Sequence, residues 1–89
     1  MRVRFSRRFD KQYHRASAKI KITFDSRLRI FLENPFNPIL NNHQLVGKYL
    51  GYRSINITGD WRAIYSEIKS SQEKVIIFEI LGTHSQLYK

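Results

Sequence analysis

The sequence predicts an α+β fold in which a pair of helices packs on one face of a small antiparallel sheet, in the order β-α-α-β-β-β. Two observations lead to this prediction. Apolar residues recur at helical spacing in the first third of the chain, and from Ser54 onward they alternate with polar residues, which is typical of strands. The length of 89 residues leaves room for one small domain, residues 1–89.

The N-terminal part of the chain predicts an edge strand and two helices. The segment Arg2–Phe5 alternates charged and apolar residues, as expected of a strand with one wet face. Ser6 can cap a first helix, and a second helix runs over Ala18–Glu33 until Asn34-Pro35 ends it, because a residue before proline avoids the helical region. The apolar stripes of the two helices consist of Phe9, Tyr13 and Ala16, and of Ile20, Phe24, Leu28 and Phe31.

The rest of the chain predicts a long connection followed by three antiparallel strands. Residues 34–48 are expected to be irregular, the strands to span residues 54–58, 60–68 and 75–81, and a tail to follow over residues 82–89. Alternation places Ile55 and Ile57 against the helices. The opposite sheet face is predicted to be open and to carry a polar patch of Ser54, Asn56, Asp60 and Arg62.

Composition narrows the possible functions. Sixteen Lys and Arg against seven acids give a formal charge of +9, which indicates a polyanionic partner. The absence of cysteine excludes disulfide scaffolds, cysteine nucleophiles, iron–sulfur clusters and Cys-bearing zinc sites. The longest apolar run has four residues and the N-terminus lacks a secretory signal, so we expect a soluble, cytoplasmic protein without a membrane partner.

Two imidazoles and one carboxylate are the candidate catalytic groups. A lone His43 in a loop is most often a surface residue, and Asp60 after Gly59 is equally well a turn residue. His84 is less easily dismissed, because it follows the end of a predicted central strand. Together these groups suit acid–base cleavage of RNA, whose 2′-hydroxyl is its own nucleophile, so no metal is required.

Several short motifs in fixed order resemble the RelE/ParE toxin superfamily of bacterial toxin–antitoxin systems, and within it the YafQ-type mRNA interferases. The resemblance spans nearly the whole chain. Its most specific segments are Gly51-Tyr52-Arg53, Gly59-Asp60-Trp61 through Ile64-Tyr65, Phe78-Glu79, Gly82-Thr83-His84-Ser85 and Leu87-Tyr88.

The resemblance implies an endoribonuclease that cuts messenger RNA on the ribosome without a metal or cofactor. It places His43, Asp60 and His84 in the active site, with His84 as general acid and either His43 or Asp60 as base. It also implies an acidic cognate antitoxin that holds the enzyme inactive, and binding of operator DNA only through that antitoxin. Residues expected to contact RNA or its phosphates are Lys48, Arg53, Asn56, Trp61, Arg62 and Tyr88, the last closing the site.

Two positions depart from the YafQ pattern. Asn56 stands where the family has a second strand histidine, and Ile80 where it has an arginine. Neither can replace the family residue, since an amide does not exchange protons near neutral pH and an alkyl chain cannot stabilise charge. Arg62, Lys48 or Arg53 could supply the missing cation, with Arg62 favoured. Two alternatives therefore stay open: a non-catalytic ParE-like toxin that inhibits gyrase, and a degenerate relative that only binds RNA.

Overall fold

The structure, a computed structural model that describes residues 1–88, has the predicted α+β architecture. Lys89, the end of the predicted tail, lies outside the described residues. The elements are β1 (Arg2–Phe5), α1 (Arg7–Arg15), α2 (Ala18–Glu33), β2 (His43–Gln44), β3 (Arg53–Asn56), β4 (Trp61–Lys69), β5 (Lys74–Thr83) and α3 (His84–Leu87), with short 3-10 turns at Pro38–Leu40 and Gly47–Tyr49.

Helices α1 and α2 begin where the sequence predicts, and α2 also ends there, because the capping residues act locally; α3 lies in the segment predicted as a tail. The Ser6 hydroxyl accepts a hydrogen bond from the Phe9 amide, and Ser17 caps α2 in the same way. Helix α2 ends at Glu33, immediately before Asn34-Pro35. Among residues 1–88 no helix has the length and apolar character needed to span a membrane.

The sheet differs from the prediction in being mixed rather than purely antiparallel. Its strand order is β1-β5-β4-β3-β2, with β1 parallel to β5 and the other pairs antiparallel. The connection predicted to be irregular contributes the fifth strand, β2. A strand of two residues is too short to show a period of two, so no alternation in the sequence predicts it.

One face of the sheet, here called the helix face, packs against α1 and α2. Ile55 and Ile57 lie there as predicted, fully buried. Phe78 on the central strand β5 has its ring within 6 Å of five other aromatic rings, and its side chain is completely buried. The buried residues of this face are Phe9, Phe24, Phe31, Leu40, Ile55, Ile57, Ala63, Tyr65, Ile76, Phe78 and Leu81.

The opposite face, here called the loop face, is not open as predicted. It carries a second, smaller cluster of Leu45, Ile64, Ile80 and Leu87. Leu45 comes from the long connection and Leu87 from α3, so both ends of the sheet surface are covered by segments outside the predicted strands.

A β-bulge in β5 shapes the loop face. Ile64 pairs with Ile80 and Tyr65 pairs with Phe78, which leaves Glu79 without a partner across the strands. The extra residue shifts the alternation, so that Glu79 and Ile80 both face the loop side while Phe78 and Leu81 face the helices.

Candidate active site

A cleft of about 360 Å³ opens on the loop face, and four of the predicted site residues line it. His43 comes from β2, Arg62 from β4, His84 from α3, and Tyr88 from the residue after α3. These elements are far apart in sequence and meet because β2, β3, β4 and β5 are neighbours in the sheet. The remaining wall is formed by Asn41, Gln44, Leu45 and Val46.

The His43 ring is oriented by the backbone beside it. Its Nδ1 lies 2.8 Å from the carbonyl oxygen of Asn41, a residue in the left-handed region at φ 45° that asparagine tolerates. A carbonyl can only accept, so Nδ1 carries the proton in this bond. In the neutral ring, Nε2 is then the basic nitrogen.

His84 is held at the first position of α3 by three backbone-directed hydrogen bonds. Its N–H donates to the carbonyl of Asp60 at 2.8 Å. Thr83 and Gln86 form a reciprocal capping box at the start of the helix. Leu87 is buried in the loop-face cluster, so this segment is anchored at both ends although it follows the last strand.

Tyr88 closes one side of the cleft. Its ring centroid is 4.8 Å from that of His84, and its own N–H donates to the His84 carbonyl at 3.0 Å. On its other side it meets Tyr49 at 6.1 Å in an edge-to-face arrangement. The Tyr88 ring thus contacts both His84 and Tyr49.

Arg62 presents part of its guanidinium to the cleft. Its Nη1 donates to the carbonyl oxygens of Thr58, Gly59 and Trp61 at 3.0–3.1 Å. These bonds hold the side chain against the β3–β4 turn and leave Nε and Nη2 as donors for an anion. Of the cations predicted to replace the missing arginine, Arg62 is the one that lines the cleft.

The floor of the loop face contains two buried polar atoms without a hydrogen-bond partner among the described residues. They are Ser54 Oγ and Asn56 Oδ1. Asn56 lies opposite Arg62 across the strands, and Ser54 lies opposite His43. Ser54 is completely buried and Asn56 and Arg62 are half-buried, so Asp60 alone of the predicted polar patch is fully exposed. Ile80 belongs to the apolar floor, consistent with its lack of any charge.

Asp60 and Trp61 lie outside the cleft. Asp60 occupies the exposed bend before β4 and shares no strand face with Arg62. Trp61 has the same strand parity as Ala63 and Tyr65 and packs against the helix-face core. The structure therefore places the Asp60 backbone beside that of His84, and Trp61 on the opposite face of the sheet.

Arg53 also faces away from the cleft and braces the long connection. Its Nε donates to Asn42 Oδ1 at 2.8 Å, and Asn42 Nδ2 donates to the Tyr65 hydroxyl at 2.8 Å and to the Pro35 carbonyl. The Arg53 guanidinium lies 5.3 Å from the centre of the Phe36 ring. Burial raises the pKa of Tyr65, and the Asn42 hydrogen bond acts in the opposite direction.

Lys48 lies on the loop face beyond the cleft, next to residues that the sequence analysis did not single out as site residues. Its Nζ is 5.2 Å from the centre of the Tyr49 ring, and Tyr49 in turn meets Tyr52 at 6.4 Å. Two tyrosines in the short stretch between the predicted connection and the strand predicted at residues 54–58 were the available signal. Among residues 1–88 no group of three or more His, Asp or Glu side chains comes together as a metal site would require.

Comparison with known proteins identifies the fold. A family model described as a bacterial toxin of type II toxin–antitoxin systems, YafQ, matches residues 1–89. YafQ from E. coli BL21(DE3) is similar in structure, with a TM-score of 0.79, 22% identity and full coverage of both chains. A YoeB/ParE toxin from Agrobacterium tumefaciens has a TM-score of 0.75 at 22% identity, covering 94% of this chain and 99% of that one.

One further solved structure contains a partner. In the E. coli DinJ-YafQ complex, the similar chain has a TM-score of 0.66 and 26% identity, with full coverage of both chains. A search of the curated proteins returns no significant match.

Proposed function

The chain belongs to the YafQ family of type II toxin–antitoxin toxins, and we propose that it is an endoribonuclease that cleaves messenger RNA on the ribosome. One observation carries the proposal: a single cleft is lined by two imidazoles and a guanidinium from three separate elements. Imidazoles exchange protons near neutral pH. A guanidinium stays charged there, so it binds phosphate whether or not the imidazoles carry a proton.

The proposed reaction needs only groups that the cleft and the RNA contain. His43 Nε2 takes the proton of the 2′-hydroxyl, whose oxygen attacks the adjacent phosphorus. The bond from phosphorus to the 5′-oxygen breaks, and His84 donates a proton to that leaving oxygen, giving a 2′,3′-cyclic phosphate. Arg62 Nε and Nη2 bind the phosphate oxygens as negative charge accumulates on them. The route requires no metal.

Position favours His43 over Asp60 as the base. His43 lines the cleft and its Nδ1 is bonded to a carbonyl, which leaves Nε2 as the basic nitrogen, whereas Asp60 lies in the bend before β4 and does not line the cleft. Asp60 contributes its backbone carbonyl, which accepts the His84 amide. We assign Asp60 a positioning role and expect Asp60→Asn to retain most of the cleavage.

The test is induced expression in a bacterial host without the antitoxin, comparing wild type with His84→Ala and His43→Ala. Growth is followed while cleavage ends are mapped on an abundant transcript. Wild type is expected to arrest growth with in-frame cuts, and each substitution to lower cleavage about 10²–10⁴-fold. His14→Ala is the matched control, because this third histidine is exposed on α1 and outside the cleft.

The opposite result identifies the alternatives. If His84→Ala arrests growth like wild type while transcripts stay intact, the protein is a binding toxin, either a gyrase inhibitor of the ParE kind or a relative that binds RNA without cutting it.

The second part of the proposal is an acidic cognate antitoxin, through which the pair binds operator DNA. The charge of +9 and the solved E. coli DinJ-YafQ complex support it. An acidic segment that neutralises part of this charge gives a complex that weakens as ionic strength rises. Titration calorimetry at low and high salt measures this, and an affinity unchanged by salt contradicts an electrostatic complex.

A further inference from the structure

A second hollow lies on the loop face, next to the proposed active site. It has a volume of about 280 Å³, just under the roughly 300–1,000 Å³ of pockets for drug-sized ligands, which suits a single nucleotide. Tyr49 separates it from the cleft, since Tyr49 lines the hollow and also contacts Tyr88. An RNA strand that leaves the cleft past Tyr88 and Tyr49 would enter this hollow.

Two tyrosine rings at right angles to each other line the hollow and can contact a planar base. The Tyr49 and Tyr52 rings stand at 89° to each other with centroids 6.4 Å apart. A base stacked on one ring meets the other edge-on, and both are favourable geometries. Arg8 and Lys48 also line the hollow and supply positive charge for a phosphate.

The hollow also contains a carboxylate that the fold directs there. Glu79 is the unpaired residue of the β5 bulge, and bulges commonly re-aim a side chain next to a functional site. Its Oε2 accepts a hydrogen bond from the Ser66 hydroxyl at 2.9 Å. Among the described residues it makes no salt bridge, although two cations line the same hollow, so its oxygens are available to accept further hydrogen bonds.

We propose that this hollow, given the proposed ribonuclease function, binds a nucleobase next to the scissile phosphate, and that Glu79 selects guanine there. An ionised carboxylate only accepts hydrogen bonds. Guanine presents two adjacent donors, its N1–H and its amino group, and can bind both oxygens at once. Uracil presents a single N–H between two carbonyls, which a carboxylate repels. Adenine and cytosine each offer one amino group, so we expect their affinities to lie between those of guanine and uracil.

The test measures binding without cleavage. Fluorescein-labelled pentanucleotides with 2′-fluoro sugars lack the attacking hydroxyl, so the wild-type protein can be titrated directly by anisotropy. Oligoadenylate with a central guanine is expected to bind about tenfold more tightly than the same oligomer with a central uracil. Glu79→Gln should reduce this ratio to near one, because a glutamine amide both donates and accepts.

Matched variants separate recognition from charge and from folding. Glu73→Gln makes the same change of net charge in the exposed turn before β5 and should keep the wild-type ratio. Tyr49→Leu should weaken both oligomers about tenfold through lost stacking, while Tyr49→Phe should not. A wild type that binds the two oligomers equally, or a Glu79→Gln protein that keeps the ratio, overturns the proposal.

These outcomes are independent of the proposed function. If the protein cuts transcripts in cells but binds the two oligomers equally, only the proposed guanine subsite is wrong. If it discriminates between the oligomers but leaves transcripts intact, the subsite stands and the proposed ribonuclease activity is wrong.

Discussion

The two faces of the sheet are built from the same strands but differ in what they leave unsatisfied. The helix face buries a cluster of eleven residues, five of them aromatic, and the hydrogen bonds of Tyr65 are satisfied there. The loop face buries only four apolar residues and holds both orphaned buried polar atoms, the two cleft histidines and Arg62. Stability is concentrated on one face, which allows polar groups that cost free energy to be placed on the other.

The largest expected effect comes from opening the helix face. Phe78→Ala removes a completely buried ring that contacts five other aromatic residues. It should lower the free energy of unfolding by about 3–5 kcal/mol. Urea denaturation measures this loss. Phe36→Ala is the control, because Phe36 is 60% exposed and should cost no more than about 1 kcal/mol. Equal losses in the two variants would contradict a core centred on Phe78.

Removing the cleft cation should affect cleavage rather than folding. Arg62→Ala is expected to lower RNA cleavage about 10²–10³-fold, the usual effect of losing one group that stabilises transition-state charge. Arg62→Lys should recover part of the loss, since it restores charge but not the planar donors. The rate of cleavage by purified protein on programmed ribosomes gives both values. An Arg62→Ala protein that cleaves like wild type removes Arg62 from the mechanism.

Ser54 tests whether the loop face sacrifices stability for function. Its hydroxyl is buried without a partner, and an unsatisfied group of this kind costs about 1–3 kcal/mol. Ser54→Ala should therefore raise the midpoint of thermal unfolding. If cleavage falls in the same variant, the hydroxyl contributes to the site through its neighbour His43; if stability falls instead, the hydroxyl is satisfied in solution.

The smallest expected effect concerns Tyr65. Tyr65→Phe removes the hydroxyl that accepts from Asn42, at a cost of about 1 kcal/mol near neutral pH. Burial raises the folded pKa of Tyr65 above its ordinary 10.0, so its contribution is complete below pH 10 and is lost as the pH rises through the folded pKa. Unfolding measured across alkaline pH should show a shallower decline for Tyr65→Phe than for wild type. Equal declines in the two proteins would show that the pKa of Tyr65 is the same in the folded and unfolded states.

Local signals in the sequence predicted the helices but not the second face. The bounds of α2 follow from the Asn34-Pro35 stop and from its apolar stripe, both of which lie within the helix or directly after it. The pairing of β1 with β5 joins residues more than seventy positions apart, and no local pattern encodes it. Leu45 and Leu87 cover the loop face only because non-local pairing brings their segments there.

The candidate site was predicted in part, for reasons that strand parity explains. His43, Arg62, His84 and Tyr88, all predicted as site residues, line one cleft, and their roles toward RNA stay predictions. Trp61 and Arg53 share the parity of core residues on their strands, Ala63 and Ile55, so alternation already indicated that they face the helices. Trp61 was included by the motif match and Arg53 as a possible substitute cation, and neither argument considers on which face of the sheet a side chain lies.

The position of β5 in the chain has a consequence for how the protein is made. This strand pairs with both β1 and β4, yet it follows every other strand in the sequence. At about 5–20 residues per second, the ribosome adds residues 74–88 in roughly one to three seconds. Until then β1 has no neighbour, and His84 and Tyr88 do not exist. The sheet and the cleft are therefore completed together, and a nascent chain that stops before β5 has neither a stable core nor the pair of cleft histidines, His43 and His84.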